Sequence, residues 1–388
     1  AAITDANNGV INMGTLAVNG IIALVTNGSG NATVVNDAGL NFAASTVGGV
    51  LNATATTGNM MDSGALTITG TSSFTTSANN AMIALDTTTN AFTGAVTITT
   101  NDNSGTDADV TIDGGTTALV LAASTIDGDL MLRSGHASGI TDSGTVTVGG
   151  DFAAITDANN GVINMGTLAV DGIIALVTNG SGNATVVNDA GLNFAASTVG
   201  GNLAATATTG NMTDSGALTI AGTSSFTTSA NNATIALNTT TNAFTGAVTI
   251  TTNDDSGTDA DVTIDGGTTA LILAASTIDG DLTVRSGNAS GIADNEGTVT
   301  VGGNLAATTD ANNGVINLTA LAVNGTIAVV TNGAGGATVV NDAGLNLAAS
   351  TVGGNLLATA TTGNITDSGT LTIAGASTFI TGASGSNI

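Results

Sequence analysis

Two acidic segments contain the side chains best suited to chemistry in this sequence, NDNSGTDADVTIDGG at 101–115 and NDDSGTDADVTIDGG at 253–267. Their carboxylates are Asp102, Asp107, Asp109, Asp113, Asp254, Asp255, Asp259, Asp261 and Asp265. Calcium prefers roughly six to eight oxygen ligands, and an extended backbone would place Asp107 and Asp109 on one side. The spacing matches neither an EF-hand loop nor the glycine-rich calcium nonapeptide. Ca²⁺ binding is therefore one hypothesis for these segments, and a solvated acidic turn is the other.

The few basic side chains indicate ion pairing rather than catalysis. Arg133 and Arg285 occupy equivalent positions, and Arg133 is expected to pair with a nearby carboxylate such as Asp127 or Asp129. A surface pair of this kind contributes little to stability. His136 is the only histidine, and its counterpart in the next copy is an asparagine. A residue that is replaced in the next copy is a poor general base, so we interpret His136 as an exposed loop residue.

Side chains for nucleophilic catalysis or glycoside hydrolysis are poorly represented. The sequence has no Cys, no Lys and one His, so the usual pairs of nucleophile and base cannot be assembled. Paired carboxylates could hydrolyse sugars, but such sites also use aromatic platforms, and Phe is the only aromatic residue type present. The phenylalanines, Phe42, Phe74 and Phe92 among them, lie in strand-like runs and are predicted to belong to the core.

Alternating threonines suggest another kind of surface. The pairs Thr67/Thr69, Thr97/Thr99 and Thr145/Thr147 are similar to the flat faces of ice-binding proteins. They occur in only some of the repeats, since the corresponding place near the start of the chain has the sequence LAVNG. Ice binding is therefore a minor alternative.

The composition narrows the classes of function. The chain has 388 residues and a formal net charge of −26, with two Arg and no Lys, which argues against nucleic-acid partners and anionic membranes. Hydrophobic residues still make up 42%, which predicts a folded chain rather than a disordered one. No apolar run reaches the length of about 18 residues that a membrane-spanning helix needs. The absence of Cys excludes a disulfide framework.

The dominant organisation is a long tandem repeat. The segment ITDANNGVINMGTLAV at 3–18 returns unchanged at 155–170, and again as TTDANNGVINLTALAV at 308–323. The super-repeats span 1–152, 153–305 and, as a partial copy, 306–388. Changes at apolar positions are mild, such as Met13 to Leu318. We therefore expect one continuous domain over the whole chain, in which the copies share the same interior.

Shorter units lie inside each super-repeat. Apolar runs that alternate with period two and are rich in Val, Ile and Thr predict strands, and the breaks of Asn, Asp, Gly and Ser between them predict turns. In ALTITG at 65–70, Leu66 and Ile68 are expected to point inward while Thr67 and Thr69 face water. We divide each super-repeat into about six units of about 25 residues, which cannot bury an apolar face without stacking on their neighbours.

Stacked units of this size predict an all-β fold. The expected architecture is a right-handed parallel β-solenoid with about 25 residues per coil and about 15 coils. An array of small β-sandwich domains is the alternative, although units of about 25 residues are too short for one sandwich each.

At this level the units resemble a known class of protein. The segment STVGGNLAATATTGNMTDSGALTIAGTSSF at 197–226 resembles the repeats of large bacterial surface proteins of the filamentous-haemagglutinin type, and related units recur over essentially the whole chain. The resemblance implies a secreted, elongated β-solenoid adhesin of a bacterial cell surface. Both ends of the sequence fall within the repeat pattern, so we expect the chain to continue or to stack on further copies of itself.

These observations predict a structural rod segment of an extracellular bacterial fibre or giant surface adhesin. Its expected role is to provide length, stiffness and attachment to surfaces or to neighbouring cells. The expected partners are further copies or the continuation of the same chain, with surface glycans and neighbouring cells as further candidates. We do not expect an enzyme, and a carbohydrate-active β-helix enzyme is the alternative class. No cofactor is expected apart from the Ca²⁺ proposed above.

Overall fold

The computed structural model describes residues 1–101, 108–253 and 260–388. These residues form strands and turns, with no helix among them. Within each compact unit the strands stack in parallel as a β-solenoid, with about 21 residues in each turn and about 17 turns in all. The predicted all-β parallel β-solenoid is therefore confirmed. The chain divides into two compact units, Ala1–Ala190 (unit 1) and Gly191–Ile388 (unit 2), and the single continuous domain stays a prediction.

Strands of two to ten residues build both units. The strands of unit 1 are β1 (Ala2–Ile3), β2 (Ile11–Leu16), β3 (Ile21–Ile22), β4 (Leu24–Val25), β5 (Ala32–Asn36), β6 (Leu40–Phe42), β7 (Ser45–Val47), β8 (Leu51–Ala55), β9 (Met60–Asp62), β10 (Leu66–Ile68), β11 (Ser72–Asn79), β12 (Ile83–Leu85), β13 (Ala91–Phe92), β14 (Val96–Asn101), β15 (Val110–Asp113), β16 (Leu119–Leu121), β17 (Ser124–Ile126), β18 (Leu130–Ser134), β19 (Ile140–Asp142), β20 (Val146–Val148), β21 (Phe152–Thr156), β22 (Ile163–Val170), β23 (Ile173–Val177) and β24 (Ala184–Asn188). The strands of unit 2 are β25 (Leu192–Phe194), β26 (Ser197–Val199), β27 (Leu203–Ala207), β28 (Met212–Asp214), β29 (Leu218–Ile220), β30 (Ser224–Thr228), β31 (Ile235–Leu237), β32 (Ala243–Phe244), β33 (Val248–Thr251), β34 (Val262–Asp265), β35 (Leu271–Ile278), β36 (Leu282–Ser286), β37 (Ile292–Val301), β38 (Leu305–Thr309), β39 (Ile316–Val323), β40 (Thr326–Val330), β41 (Ala337–Asn341), β42 (Leu345–Leu347), β43 (Ser350–Val352), β44 (Leu356–Ala360), β45 (Ile365–Asp367), β46 (Leu371–Ile373) and β47 (Ser377–Thr381).

Each turn of unit 1 contributes short strands to parallel sheets that run along the solenoid. Sheet 1 consists of β1, β4, β7, β10 and β13. Sheet 2 contains β2, β5, β8, β11 and β14, and sheet 3 contains β3, β6, β9, β12, β15, β18 and β21. In unit 2 the strands that correspond to sheet 2 include β27, β30, β33, β35 and β37, and those that correspond to sheet 3 include β28, β31, β34 and β36. Each strand lies on the equivalent strand of the next turn, so residues one turn apart are neighbours.

The strand register measures the length of a turn. The successive partners that begin at Ile11 in sheet 2 are Ala32, Leu51, Ser72, Val96, Leu121 and Asp142. Ile140, on the same strand as Asp142, pairs with Ile163, the counterpart of Ile11 in the next super-repeat. A super-repeat thus contains seven turns, with steps that vary from 19 residues (32 to 51) to 25 residues (96 to 121).

The expected division into six coils of about 25 residues is therefore wrong. Bends between sheets within one turn use the same small and polar residues as the bends that close a turn. Sequence spacing alone cannot distinguish the two kinds of bend, whereas the strand register does.

The interior is lined by the inward-facing side of the alternation. Leu66 and Ile68 are fully buried while Thr67 is exposed, as predicted. Seven of the eight phenylalanines predicted to belong to the core are also buried, and they are Phe42, Phe74, Phe92, Phe152, Phe194, Phe226 and Phe244. The prediction is wrong for Phe379, which lies on the last strand and is only half-buried. Alternation with period two is therefore sufficient to assign the core positions.

Buried polar side chains replace backbone partners where the chain bends between sheets. Ser45 Oγ accepts a hydrogen bond from the Leu24 amide at 3.0 Å and donates to the Ala43 carbonyl at 2.8 Å. Asn36 binds both the amide and the carbonyl of Val18, each at 2.8 Å. Because an unpaired buried amide or carbonyl is costly, these side chains let the backbone turn inside the solenoid.

Candidate functional site

Three exposed carboxylates of unit 1 form a column along one corner of the solenoid. Asp109 Oδ1 accepts from the Asp129 amide at 2.9 Å, and Asp129 Oδ1 accepts from the Asp151 amide at 2.7 Å. Asp151 Oδ1 in turn accepts from the Ile173 amide at 2.9 Å. Each carboxylate therefore satisfies a backbone donor of the following turn. We call Asp109, Asp129 and Asp151 the aspartate column.

Unit 2 has the same column with one substitution. Asp261 Oδ1 accepts from the Asp281 amide at 2.8 Å, and Asp281 Oδ1 accepts from the Asn304 amide at 2.6 Å. Asn304 Oδ1 then accepts from the Thr326 amide at 2.8 Å. An asparagine thus performs the task of the third carboxylate, which indicates that the column needs an acceptor oxygen rather than a charge.

The last aspartates of the two acidic segments are buried. Asp113 is 4% exposed, and its Oδ1 accepts from the Gly115 amide at 2.7 Å. Asp265 accepts from the Gly267 amide at 2.8 Å in the same way. Burial raises the pKa of the Asp113 carboxyl above its ordinary value, against the hydrogen bond from Gly115, and the charge of Asp157 raises it further. These carboxylates stabilise a turn in which Gly115 and Gly267 have positive φ angles of 57° and 56°.

Only some of the aspartates predicted to bind Ca²⁺ can be located in the structure. Asp102, Asp107, Asp254, Asp255 and Asp259 lie outside the described residues. Asp109 and Asp113 are separated by an extended strand, which places their backbones roughly 13 Å apart at about 3.3 Å per residue. They cannot therefore bind one ion together, and neither can Asp261 and Asp265.

Calcium binding consequently stays a prediction. Within 1–101, 108–253 and 260–388 there is no group of three or more Asp, Glu, His or Cys side chains that could hold a metal. Chelation of Ca²⁺ with EDTA tests the hypothesis, since an unchanged melting temperature would contradict it.

Both arginines pair with a carboxylate of the next turn. Arg133 Nη1 lies 3.6 Å from Asp157 Oδ2, and Arg285 Nη2 lies 3.2 Å from Asp310 Oδ2. The expected partners Asp127 and Asp129 are therefore wrong. Asp129 belongs to the aspartate column, and Asp127 is 7% exposed. Arg133 lies on β18, which pairs with β21, so the residue just after β21 is the carboxylate within reach.

His136 has a structural role in a turn. Its Nδ1 accepts from the Ser138 amide at 3.0 Å, and its own amide donates to Ser134 Oγ at 3.2 Å. In unit 2, Asn288 Oδ1 accepts from the Ser290 amide at 2.8 Å. The two side chains are interchangeable because both present an acceptor at the same place. The predicted loop position is correct, but the side chain is half-buried rather than exposed.

The threonines predicted to share a flat face are divided between two sheets. Thr67 lies on sheet 1, whereas Thr99 and Thr147 lie on sheet 2 in one outward-facing row. That row in unit 1 is Thr54, Thr75, Thr99, Thr125 and Thr147, and the row in unit 2 is Thr206, Thr227, Thr251, Thr277 and Thr300. We call these rows the threonine ladders, and their members are spaced by about 4.8 Å. Only the register shows them to be continuous.

One surface groove lies on unit 2. Its volume is about 500 Å³, and Val315, Asn317, Gly336 and Leu357 lie in its wall. Gly336 stands where unit 1 has Asn31, whose Oδ1 accepts from the Val50 amide at 2.8 Å. Among the described residues that line the groove, none has a titratable side chain.

The sequence predicted turns at the asparagines but not the hydrogen bonds that their side chains make to the next turn. Asn7 and Asn8 have positive φ angles of 58° and 54°, and Asn8 Oδ1 accepts from the Ser29 amide at 2.9 Å. The same bond recurs from the Ser181 amide to Asn160 and from the Ala334 amide to Asn313. The signal was present, since ANNG appears in every super-repeat and Asn tolerates the left-handed region.

Within the described residues no helix is long and apolar enough to cross a membrane. Comparison with curated proteins and with solved structures finds no match. One family matches four segments of the chain, 29–99, 107–181, 181–251 and 334–388, and it is described as repeats of unknown function (DUF5649). These segments cover more than half of the residues. The chain therefore belongs to this family of repeats of unknown function.

Proposed function

We propose that this chain is a rod segment of an extracellular bacterial fibre or surface adhesin. The observation that carries the proposal is that polar side chains bind the backbone of their own solenoid, in contacts that recur from one super-repeat to the next. Asn8, Asn160 and Asn313 are one such set. An enzyme needs a constellation of side chains at one place, whereas a fibre needs identical contacts along its length.

The proposed mechanical role is supported by the hydrogen bonds between stacked strands. Every turn of each unit shares parallel backbone hydrogen bonds and a continuous apolar interior with the next turn, so each added super-repeat extends the solenoid without a new fold. The side chains that hold the bends, such as Asn36 and Ser45, are supplied again by each copy. Length and stiffness are thus products of duplication.

Exposure outside the cell is consistent with the surface chemistry. The chain contains two Arg and no Lys, so trypsin-like proteases have few cleavage sites. Its net charge of −26 favours solubility over aggregation. On this proposal the partners are further copies or the continuation of the same chain, and surface glycans or neighbouring cells are the targets of attachment.

Electron microscopy of material from the native source tests the proposal. Unbranched filaments many times longer than a single chain, labelled by an antibody against this chain on intact cells, are the expected result. Compact particles of uniform size, or label that appears only after cell lysis, would contradict it.

Ice binding is a second candidate because of the threonine ladders. In each unit five uncharged, β-branched side chains stand in one row at about the spacing of the strands, with their rotamers restricted by the branched Cβ. Such a row presents hydroxyl and methyl groups with a crystal-like period.

Inhibition of ice recrystallisation tests this candidate. The intact chain should inhibit it, Thr99→Lys should weaken the effect, and Thr111→Lys on sheet 3 is the matched control that should not. No inhibition by the intact chain, or equal loss in both variants, would reject ice binding.

A further inference from the structure

Three exposed methionines distinguish the outer surface of sheet 3 in unit 1. The register of one outward-facing row runs Met61, Ala84, Thr111 and Met131. Met82 lies just before the strand of Ala84, and its amide donates to Asn59 Oδ1 at 3.1 Å. Met61 and Met82 are each 39% exposed, and Met131 is 41% exposed. These three side chains are therefore accessible to small solutes, and we call them the methionine surface.

Three other methionines differ from the methionine surface because they are not accessible to solvent. Met60, Met165 and Met212 are all fully buried. Met60 and Met61 are adjacent on β9 and point to opposite sides of the sheet, so one thioether is in the core and the other is outside. The chain has no Cys, so methionine is its only sulfur-containing residue.

Unit 2 shows that the same positions accept polar side chains. The residues equivalent to Met61, Met82 and Met131 are Thr213, Thr234 and Thr283. By contrast, the residue equivalent to buried Met60 is again a methionine, Met212. The fold therefore tolerates polarity at the methionine surface, while it keeps an apolar side chain at the inward position.

We propose that the methionine surface is a site of reversible oxidation by peroxides. With hydrogen peroxide, the thioether sulfur attacks one oxygen, and the S–O bond forms as the O–O bond breaks. The hydroxide that leaves takes up the proton of the sulfur-bound hydroxyl group and becomes water. Each methionine loses two electrons and the peroxide is reduced. The product, methionine sulfoxide, is polar, so oxidation converts this face of unit 1 to the polar character that unit 2 has at the same positions.

Exposure of the intact chain to dilute hydrogen peroxide tests the proposal. After digestion with an Asp-specific protease, mass spectrometry should locate sulfoxide at Met61, Met82 and Met131 at rates at least about tenfold above those of Met60, Met165 and Met212, because oxidation follows exposure. Met13 lies in the first turn, is 39% exposed and should react as well. The far-ultraviolet circular dichroism should be unchanged, and methionine sulfoxide reductase should remove the oxygen atoms.

The variant Met61→Thr/Met82→Thr/Met131→Thr is the matched control, because it carries the residues of unit 2. It should take up three fewer oxygen atoms at the same peroxide dose and keep the melting temperature of the parent chain. On a hydrophobic column, both the oxidised parent and the triple variant should elute earlier than the unoxidised parent. Oxidation of the buried methionines at an equal rate, or no reaction at the three exposed ones, would overturn the proposal.

Discussion

Units 1 and 2 present the same interior behind different surfaces. The edge-on contact between Phe74 and Phe92, with ring centroids 5.8 Å apart, recurs between Phe226 and Phe244 at the same distance. Some outward positions have changed, as at Met61 and Thr213, whereas the threonine ladders are the same in both units. Interior positions are restricted because each side chain must fit the turns above and below it, whereas an outward side chain such as Met61 is partly surrounded by water.

His136 and Asn288 occupy equivalent, half-buried positions that are neither fully interior nor fully exposed. An imidazole and a carboxamide differ in chemistry and size, yet both accept a hydrogen bond from the amide two residues ahead. What is retained is an acceptor for the backbone, not a residue type. The comparison predicts that equivalent interior changes have equal effects in the two units, while surface changes have small ones.

The largest effect is expected from the buried phenylalanines. Phe74→Ala and Phe226→Ala should each lower the local free energy of unfolding by about 3–5 kcal/mol, because each leaves a cavity in a closely packed interior. Hydrogen exchange measured by mass spectrometry on peptides from β11 and β30 reports this local stability. A difference between the two variants of more than about 1 kcal/mol would show that the interiors are not equivalent.

The buried asparagines should have the next largest effect. Asn341 accepts from the Val323 amide at 2.8 Å and donates to the carbonyls of Val323 and Gly344 at 3.1 and 2.7 Å. Asn341→Ala should cost about 2–3 kcal/mol because these backbone groups lose their partners, and Asn188→Ala in unit 1 should cost the same. Chemical denaturation measures both.

Asn346→Ala is the control for that experiment. The Oδ1 atom of Asn346 has no hydrogen-bond partner among the described residues. Removal of this side chain should therefore lower the free energy of unfolding much less than removal of the Asn341 side chain. Equal losses at Asn341 and Asn346 would mean that the backbone contacts of Asn341 do not stabilise the bend.

A smaller, pH-dependent effect is expected at Asp62. Burial raises the pKa of its carboxyl above the ordinary 3.8, against opposing hydrogen bonds from Asn90 and Thr87. The folded state therefore holds the proton more tightly than the unfolded state. The protonated Asp62 carboxyl therefore stabilises the folded state fully below pH 3.8, and this stabilisation is lost as the pH rises through the raised pKa.

Unfolding midpoints in urea between pH 7 and pH 4 measure this contribution. The stability gained on acidification should be smaller in Asp62→Asn than in the parent chain. Asp5→Asn, at an exposed position, removes one charge and is the control for the general effect of net charge. The assignment fails if both variants reduce the gain equally.

The smallest effect is expected at the surface ion pairs. The side chains of Arg133 and Asp157 are 42% and 46% exposed, and those of Arg285 and Asp310 are 47% and 44% exposed. Arg133→Ala and Arg285→Ala should each change stability by no more than about 0.5 kcal/mol, and added salt should remove the difference. A loss above about 1 kcal/mol in either variant would give these pairs a larger structural role than their exposure indicates.

Particular residues show how far the sequence could predict the candidate sites. The inward positions of Leu66 and Ile68 followed from alternation, because alternation is a property of a few adjacent residues. The partner of Arg133 did not, because Asp157 is 24 positions away in sequence and becomes a neighbour only when β18 stacks on β21. The threonine ladders and the row of Met61 and Met131 likewise depend on which strands are stacked.

The sequence by itself determined the all-β class, the repeating interior and the identity of the turn residues, because each depends on local alternation and on the backbone preferences of Gly, Asn and Asp. Only the tertiary structure decided the length of a turn, the number of turns in a super-repeat and the members of each surface row. Those properties depend on hydrogen bonds between strands whose paired residues are about 19 to 27 positions apart. A bend within a turn and a bend that closes a turn use the same residues, so only the stacked strands distinguish them.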